Sequence, residues 1–96
     1  MESSAIRELL LQRIPDAVVR DDVCDVVRVF WRGRTAFAEP HEGAGIQIRV
    51  ALPAIPDGSK VVPDPHLLDF AVEPCEAADK IAFWLQRIAA TRLDAY

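Results

Sequence analysis

The chain has no asparagine, one tyrosine (the terminal Tyr96), two lysines (Lys60 and Lys80), two cysteines, four glycines and one methionine. Each scarcity removes a class of protein. Two cysteines, Cys24 and Cys75, cannot make a disulfide framework, and the plain expectation is a pair of reduced thiols in a cytoplasmic protein. Four glycines against seven prolines argue for stiff connections rather than flexible linkers. No uncharged apolar run approaches the roughly 20 residues of a membrane helix. The start, Met1-Glu2-Ser3-Ser4, lacks a basic region, and Arg7, Glu8 and Arg13 interrupt the apolar stretch behind it, so no secretory signal is expected.

What is present is an ordinary globular balance. Of 96 residues, 51% are hydrophobic and 27% charged, too apolar for a disordered tail. The length suits a single small globular domain over residues 1–96. Eleven basic against fifteen acidic residues give a net charge of −4. That disfavours a protein that coats nucleic acid by neutralising phosphates, while leaving room for a local basic patch.

Hydrophobic periodicity places the elements. Ser3 or Ser4 caps a first helix that Pro15 ends, with Ile6, Leu10 and Ile14 as its stripe. Val- and aromatic-rich segments predict strands at Ala17–Arg20, Val26–Trp31 and Thr35–Glu39, with Arg32-Gly33-Arg34 as a turn. A helix competes over the second of these, because Val23, Val26, Val27 and Phe30 sit at helical spacing between Asp22 and Gly33. Glu39 to Gly45 reads as a loop. Ile46, Ile48, Val50 and Leu52 then alternate with Gln47, Arg49 and Ala51 in the cleanest half-buried strand. Pro53 to Pro65 is a Pro-rich connection in which Lys60 to Val62 can pair briefly. Leu68, Phe70 and Val72 alternate with Asp69 and Ala71 in a last strand. Pro74 opens a final helix to about Arg92, with Ala78, Ile81, Leu85 and Ile88 as its stripe.

The expected fold class is α+β, in the order α-β-β-β-β-α. It is a two-layer sandwich in which an antiparallel four- to five-stranded sheet carries the N- and C-terminal helices on one face. This order is similar to that of double-stranded-RNA-binding domains. The similarity stops there: that family's last helix opens on basic residues, and this one opens on Glu73-Pro74-Cys75-Glu76.

Candidate chemistry is thin. Cys24, His41, His66 and Cys75 make a numerically complete zinc set, but without the close ligand pairs of structural sites, so no metal is expected. Cys75 at a helix start, with His41 or His66 as base, is a conceivable nucleophile, yet Glu73 and Glu76 oppose its ionisation. Gly43-Ala44-Gly45 leads into a strand rather than a helix, unlike phosphate-binding loops. No cofactor is expected.

A binding surface is the stronger signal. If Val27, Val29 and Trp31 face the helices, Arg28, Phe30 and Arg32 face outward, beside Gln47 and Arg49, with Arg34 at the turn. Arginines around an aromatic suit an acidic protein partner, or less readily single-stranded nucleic acid. The bland counterpart is a solvated face whose Arg stems cover the sheet. Phe83 points away from the stripe of its own helix and marks a second candidate surface for a partner or a homodimer. The candidate partner-binding residues are therefore Arg28, Phe30, Arg32, Arg34, Arg49 and Phe83. The leading expectation is a small non-enzymatic protein-binding module of the inhibitor, immunity, phage or mobile-element accessory, or adaptor type. The alternatives are a ligand-binding or enzymatic homodimer and, third, a nucleic-acid module.

Overall fold

Local sequence determines most boundaries in the computed structural model of the chain, which describes residues 3–43, 45–52, 56–57, 60–61 and 66–88. Helix α1 runs Ser3–Arg13. The Ile14 N–H still reaches the Leu10 carbonyl at 2.7 Å, and Pro15 cannot continue the ladder. Ile6, Leu10 and Ile14 are all fully buried, as their spacing predicts.

Strands β1 (Val18–Asp21) and β2 (Val27–Trp31) pair antiparallel, with Val19 opposite Val29. The helix that competes for this region does not form, and a short 3-10 turn over Val23–Asp25 joins the strands. Asp22 accepts the Val23 N–H at 2.8 Å and donates its own N–H to Val26 at 2.7 Å. Cys24 and Asp25 then adopt positive φ, at 59° and 60°. The two-residue hairpin Arg32-Gly33, with φ of 47° and 77°, is the mirror-image turn whose twist matches a hairpin.

Strand β3 runs Arg34–His41, longer than its sequence suggests, so Pro40 lies in a strand and not in a loop. Pro40 pairs with Ile46 of β4 (Gly45–Ala51) at a height where β2 has already ended at Val27 opposite Ala38. Its missing N–H costs no ladder bond there. A short pair, β5 (Pro56–Asp57) with β6 (Lys60–Val61), stands apart from the main sheet. Strand β7 (His66–Ala71) closes the main sheet, whose order is β1-β2-β3-β4-β7, antiparallel throughout. Helix α2 spans Pro74–Leu85 and carries Pro74 in its first turn.

That helix is shorter than the expected run to Arg92, of which residues 89–92 lie outside the described ones. Gln86 to Ile88 contain good helix formers, so propensity does not end it. A tertiary contact stands at this point: Arg34 Nε donates to the Ile88 carbonyl at 2.9 Å, while the Arg87 and Ile88 N–H groups both turn back to Trp84.

The two layers follow from patterning. Helix α1 lies over β1 and β2, α2 lies over β3, β4 and β7, and the helices pack on each other. The inner sheet face contributes Val19, Val27, Val29, Ala36, Ala38, Ile46, Ile48, Val50 and Ala71 to the core. Ala36 and Ala38 are 0% exposed beneath a helix that offers Ala77, Ala78 and Ala82. Small residues on both layers let backbone approach backbone. On β7 the inward set is Leu67, Asp69 and Ala71, so Leu68 and Phe70 point outward. Among the described residues no helix is long and apolar enough to cross a membrane.

Candidate docking surface

Strand register lines up the outward side chains. One row crosses all five strands as Arg20, Arg28, Phe37, Arg49 and Leu68. At the usual strand spacing it spans about 19 Å. A flanking row holds Val18, Phe30 and Thr35. The other holds Glu39, Gln47 and Phe70.

Phe37 is the hub. The Arg28 guanidinium lies 5.6 Å from its ring centre and the Arg49 guanidinium 4.7 Å, one from each neighbouring strand. Such contacts contribute about 0.5–1 kcal/mol each at exposed sites. Each arginine is also held by an acid. Arg28 Nη2 bonds Asp22, and Arg49 Nε sits 2.8 Å from Glu39, which in turn accepts from Gln47 at 3.2 Å. Among the described residues the buried Nε–H of Arg28 has no acceptor, and that of Arg49 is not aimed at one, so Arg49–Glu39 is an ion pair rather than a directed hydrogen bond. Apolar surface surrounds the hub: Val18 is 47% exposed, Leu68 55% and Phe70 48%. His41 packs its ring on Phe70 at 5.1 Å.

The sequence-derived candidates divide accordingly. Arg28, Phe30 and Arg49 lie on this face. Arg32 is at the hairpin, where it stacks on Trp31 at 4.8 Å and donates to Asp16 at 3.1 Å. Arg34 stands opposite Trp31, on the helix side, with its guanidinium 5.2 Å from the indole and Nε on Ile88. Phe83 projects from α2 on the other side of the molecule, with Arg87 stacked over it at 3.7 Å and Trp84 edge-on at 5.1 Å. Phe37, Arg20, Leu68 and Phe70 were not singled out from sequence. The signal for Phe37 was available: its neighbours Ala36 and Ala38 alternate with it, and whichever set faces the helices expels the other.

Two tryptophan–aspartate pairs brace the sheet's ends. Trp31 Nε1 donates to Asp16 at 3.0 Å, and Trp84 Nε1 donates to Asp69 at 3.0 Å. The indole N–H is the main reason each carboxyl is held below the usual aspartate range; Arg32 assists Asp16, and the Phe70 N–H and Lys80 assist Asp69.

The titratable groups raised by the sequence are dispersed. His41 pairs with Gly45 and His66 with Ala51, at opposite ends of the sheet. Cys24 and Cys75 are both exposed free thiols. Arg13 approaches Cys75 Sγ at 3.3 Å while its Nε is bonded to Asp79. No three His, Cys, Asp or Glu side chains gather in a metal-holding group among the described residues. No known protein family matches the chain, and neither curated proteins nor solved structures yield a match.

Proposed function

We propose that the chain is a non-enzymatic protein-binding module that docks on a partner through the outer face of its sheet. The observation that carries this reading is the Arg28–Phe37–Arg49 cluster, ringed by half-exposed Val18, Leu68 and Phe70, on a face that neither helix covers. Arginine and aromatic side chains are the usual anchors of protein interfaces. The helix-side surface around Phe83 is the weaker candidate, since it pairs one arginine with one exposed ring, where the sheet face brings two arginines together over Phe37 beside Val18, Leu68 and Phe70. A net charge of −4 argues against nucleic acid as the partner. Inhibitor, immunity, accessory and adaptor proteins all act by such docking.

The test is capture of partners from host lysate by the tagged full-length chain, with Arg28→Glu/Arg49→Glu and Phe83→Asp variants run in parallel. Circular dichroism verifies that each variant is folded. One stoichiometric partner, retained by Phe83→Asp and lost with the double charge reversal, supports docking through the outer face. Equal capture by the double variant refutes it.

A further inference from the structure

At the β1 end of the outer face, two arginines stand directly opposite each other across a strand pair, Arg20 on β1 and Arg28 on β2. Like charges in that position are destabilising unless something offsets them. A cleft of about 240 Å³ opens beside them, and the described residues lining it are Arg20, Asp21, Asp22 and Arg28. Both acids are already engaged. Asp22 accepts from Arg28 Nη2 and from the Val23 N–H, and Asp21 is paired with Arg7 of α1 at 3.3 Å. With Arg7 of α1 neutralising Asp21 and Asp22 paired to Arg28, one guanidinium group of the described lining is left over. The surplus cation is Arg20, which is exposed and has no acid partner among the described residues.

We infer that this cleft is a carboxylate-binding site, and that the docking partner presents an Asp or Glu side chain to Arg20 and Arg28 with an apolar neighbour over Phe37. The inference rests on the docking reading and names what the partner carries. Volume and charge select the occupant. About 240 Å³ falls below the roughly 300–1,000 Å³ of pockets that enclose a cofactor-sized ligand, and is ample for one acidic side chain. A guanidinium fork matches a carboxylate in two parallel bonds, which an ammonium cannot do. Arg20 supplies the free fork, while Arg28, held through Nη2 by Asp22, adds a positive charge whose position needs no ordering when the carboxylate arrives. The aspartates disfavour a polyanion, because each further phosphate would meet Asp21 or Asp22.

The probe is the blocked tripeptide Ac-Glu-Leu-Glu-NH2, titrated into the isotope-labelled full-length chain and followed at arginine Nε–H resonances by NMR. Ac-Gln-Leu-Gln-NH2, inorganic phosphate and a short single-stranded oligonucleotide form the parallel arms. The expected result is a saturable shift of Arg20 and Arg28 with the acidic peptide alone, weakened about tenfold or more by Arg20→Ala and partly by Arg20→Lys. Arg20 is exposed on an edge strand, so these variants leave the fold intact. The inference is overturned if the acidic peptide gives no saturable shift, if Arg20→Ala binds it equally, or if phosphate or the oligonucleotide binds more tightly. Its failure is separable from failure of the docking reading. Arg49 lies outside the cleft, so a partner lost with Arg49→Glu but kept by Arg20→Ala leaves docking standing and removes the carboxylate site.

Discussion

Replacing Asp69 by alanine removes a brace that joins β7 to α2. Its Oδ2 accepts the Trp84 indole N–H at 3.0 Å, and its Oδ1 accepts the Phe70 N–H at 2.8 Å and lies 3.2 Å from Lys80 Nζ. A hydrogen bond to a charged acceptor contributes about 1.5–3 kcal/mol when desolvated. The Asp69 side chain is 28% exposed, so the lower end applies to the indole bond, and the Lys80 pair, 37% exposed, adds at most a few tenths. The expected cost of Asp69→Ala is therefore about 2 kcal/mol, or a Tm lowered by about 8–16 °C for a chain of this size. Asp69→Asn keeps an acceptor for the indole and is expected to cost about half as much. The assay is urea unfolding followed by tryptophan fluorescence and circular dichroism. The same brace dictates a pH dependence. Because the indole N–H holds the Asp69 carboxyl below its unfolded range, the stabilisation is complete above the unfolded value of about 3.9. It is lost as pH falls through the lower folded value. The gap between wild type and Asp69→Asn is thus present at neutral pH and closes in acid. An Asp69→Ala variant within about 0.5 kcal/mol of wild type, or a gap that widens in acid, refutes the reasoning.

Ala38→Leu tests the close approach of the layers. Ala38 is 0% exposed on the inner face, and the extra methylene groups force α2 outward, so the expected destabilisation is about 3 kcal/mol or more by thermal unfolding. Arg34→Ala removes the donor to the Ile88 carbonyl and one cation from Trp31, with an expected loss of about 1–2 kcal/mol and faster amide exchange in the turn after α2. Unchanged exchange there would show that the turn holds without Arg34.

The fold was legible because its signals are local and redundant. Ile6, Leu10 and Ile14 allow only one helix face, and Ile46, Ile48 and Val50 allow only one strand orientation; all six are buried where the pattern places them. What sequence could not reveal depends on partners distant in the chain. On β7, hydropathy favours Leu68, Phe70 and Val72 as the inward set, yet Asp69 goes inward because Trp84 and Lys80 wait for it on α2. The candidate surface was half legible for the same reason. Parity along β2 and β4 sends Arg28 and Arg49 outward, but their meeting over Phe37 requires the register of β3 between them. Arg34 shares the parity of the inward Ala36 and Ala38, but a strand expected to begin at Thr35 leaves it in the turn, and its bond to the Ile88 carbonyl depends on a residue 54 positions away.

The outer face also breaks local rules in ways that a purely solvated sheet has no reason to keep. A phenylalanine faces out while alanines face in, two arginines stand opposite each other, and two buried Nε–H groups have no directed acceptor among the described residues. Residues that break local rules without a structural gain are expected where a surface is shaped for binding rather than for stability. The clearest case is Arg20. Threonine there would relieve the like-charge pair and suit an edge strand better, since a β-branched residue fits the pleated surface. Arg20→Thr is therefore expected to raise stability by about 0.3–0.8 kcal/mol in urea unfolding while weakening capture of the acidic peptide. The sign of the stability change decides the matter. If Arg20→Thr is destabilising, Arg20 serves the fold, and the opposed arginines lose their functional explanation.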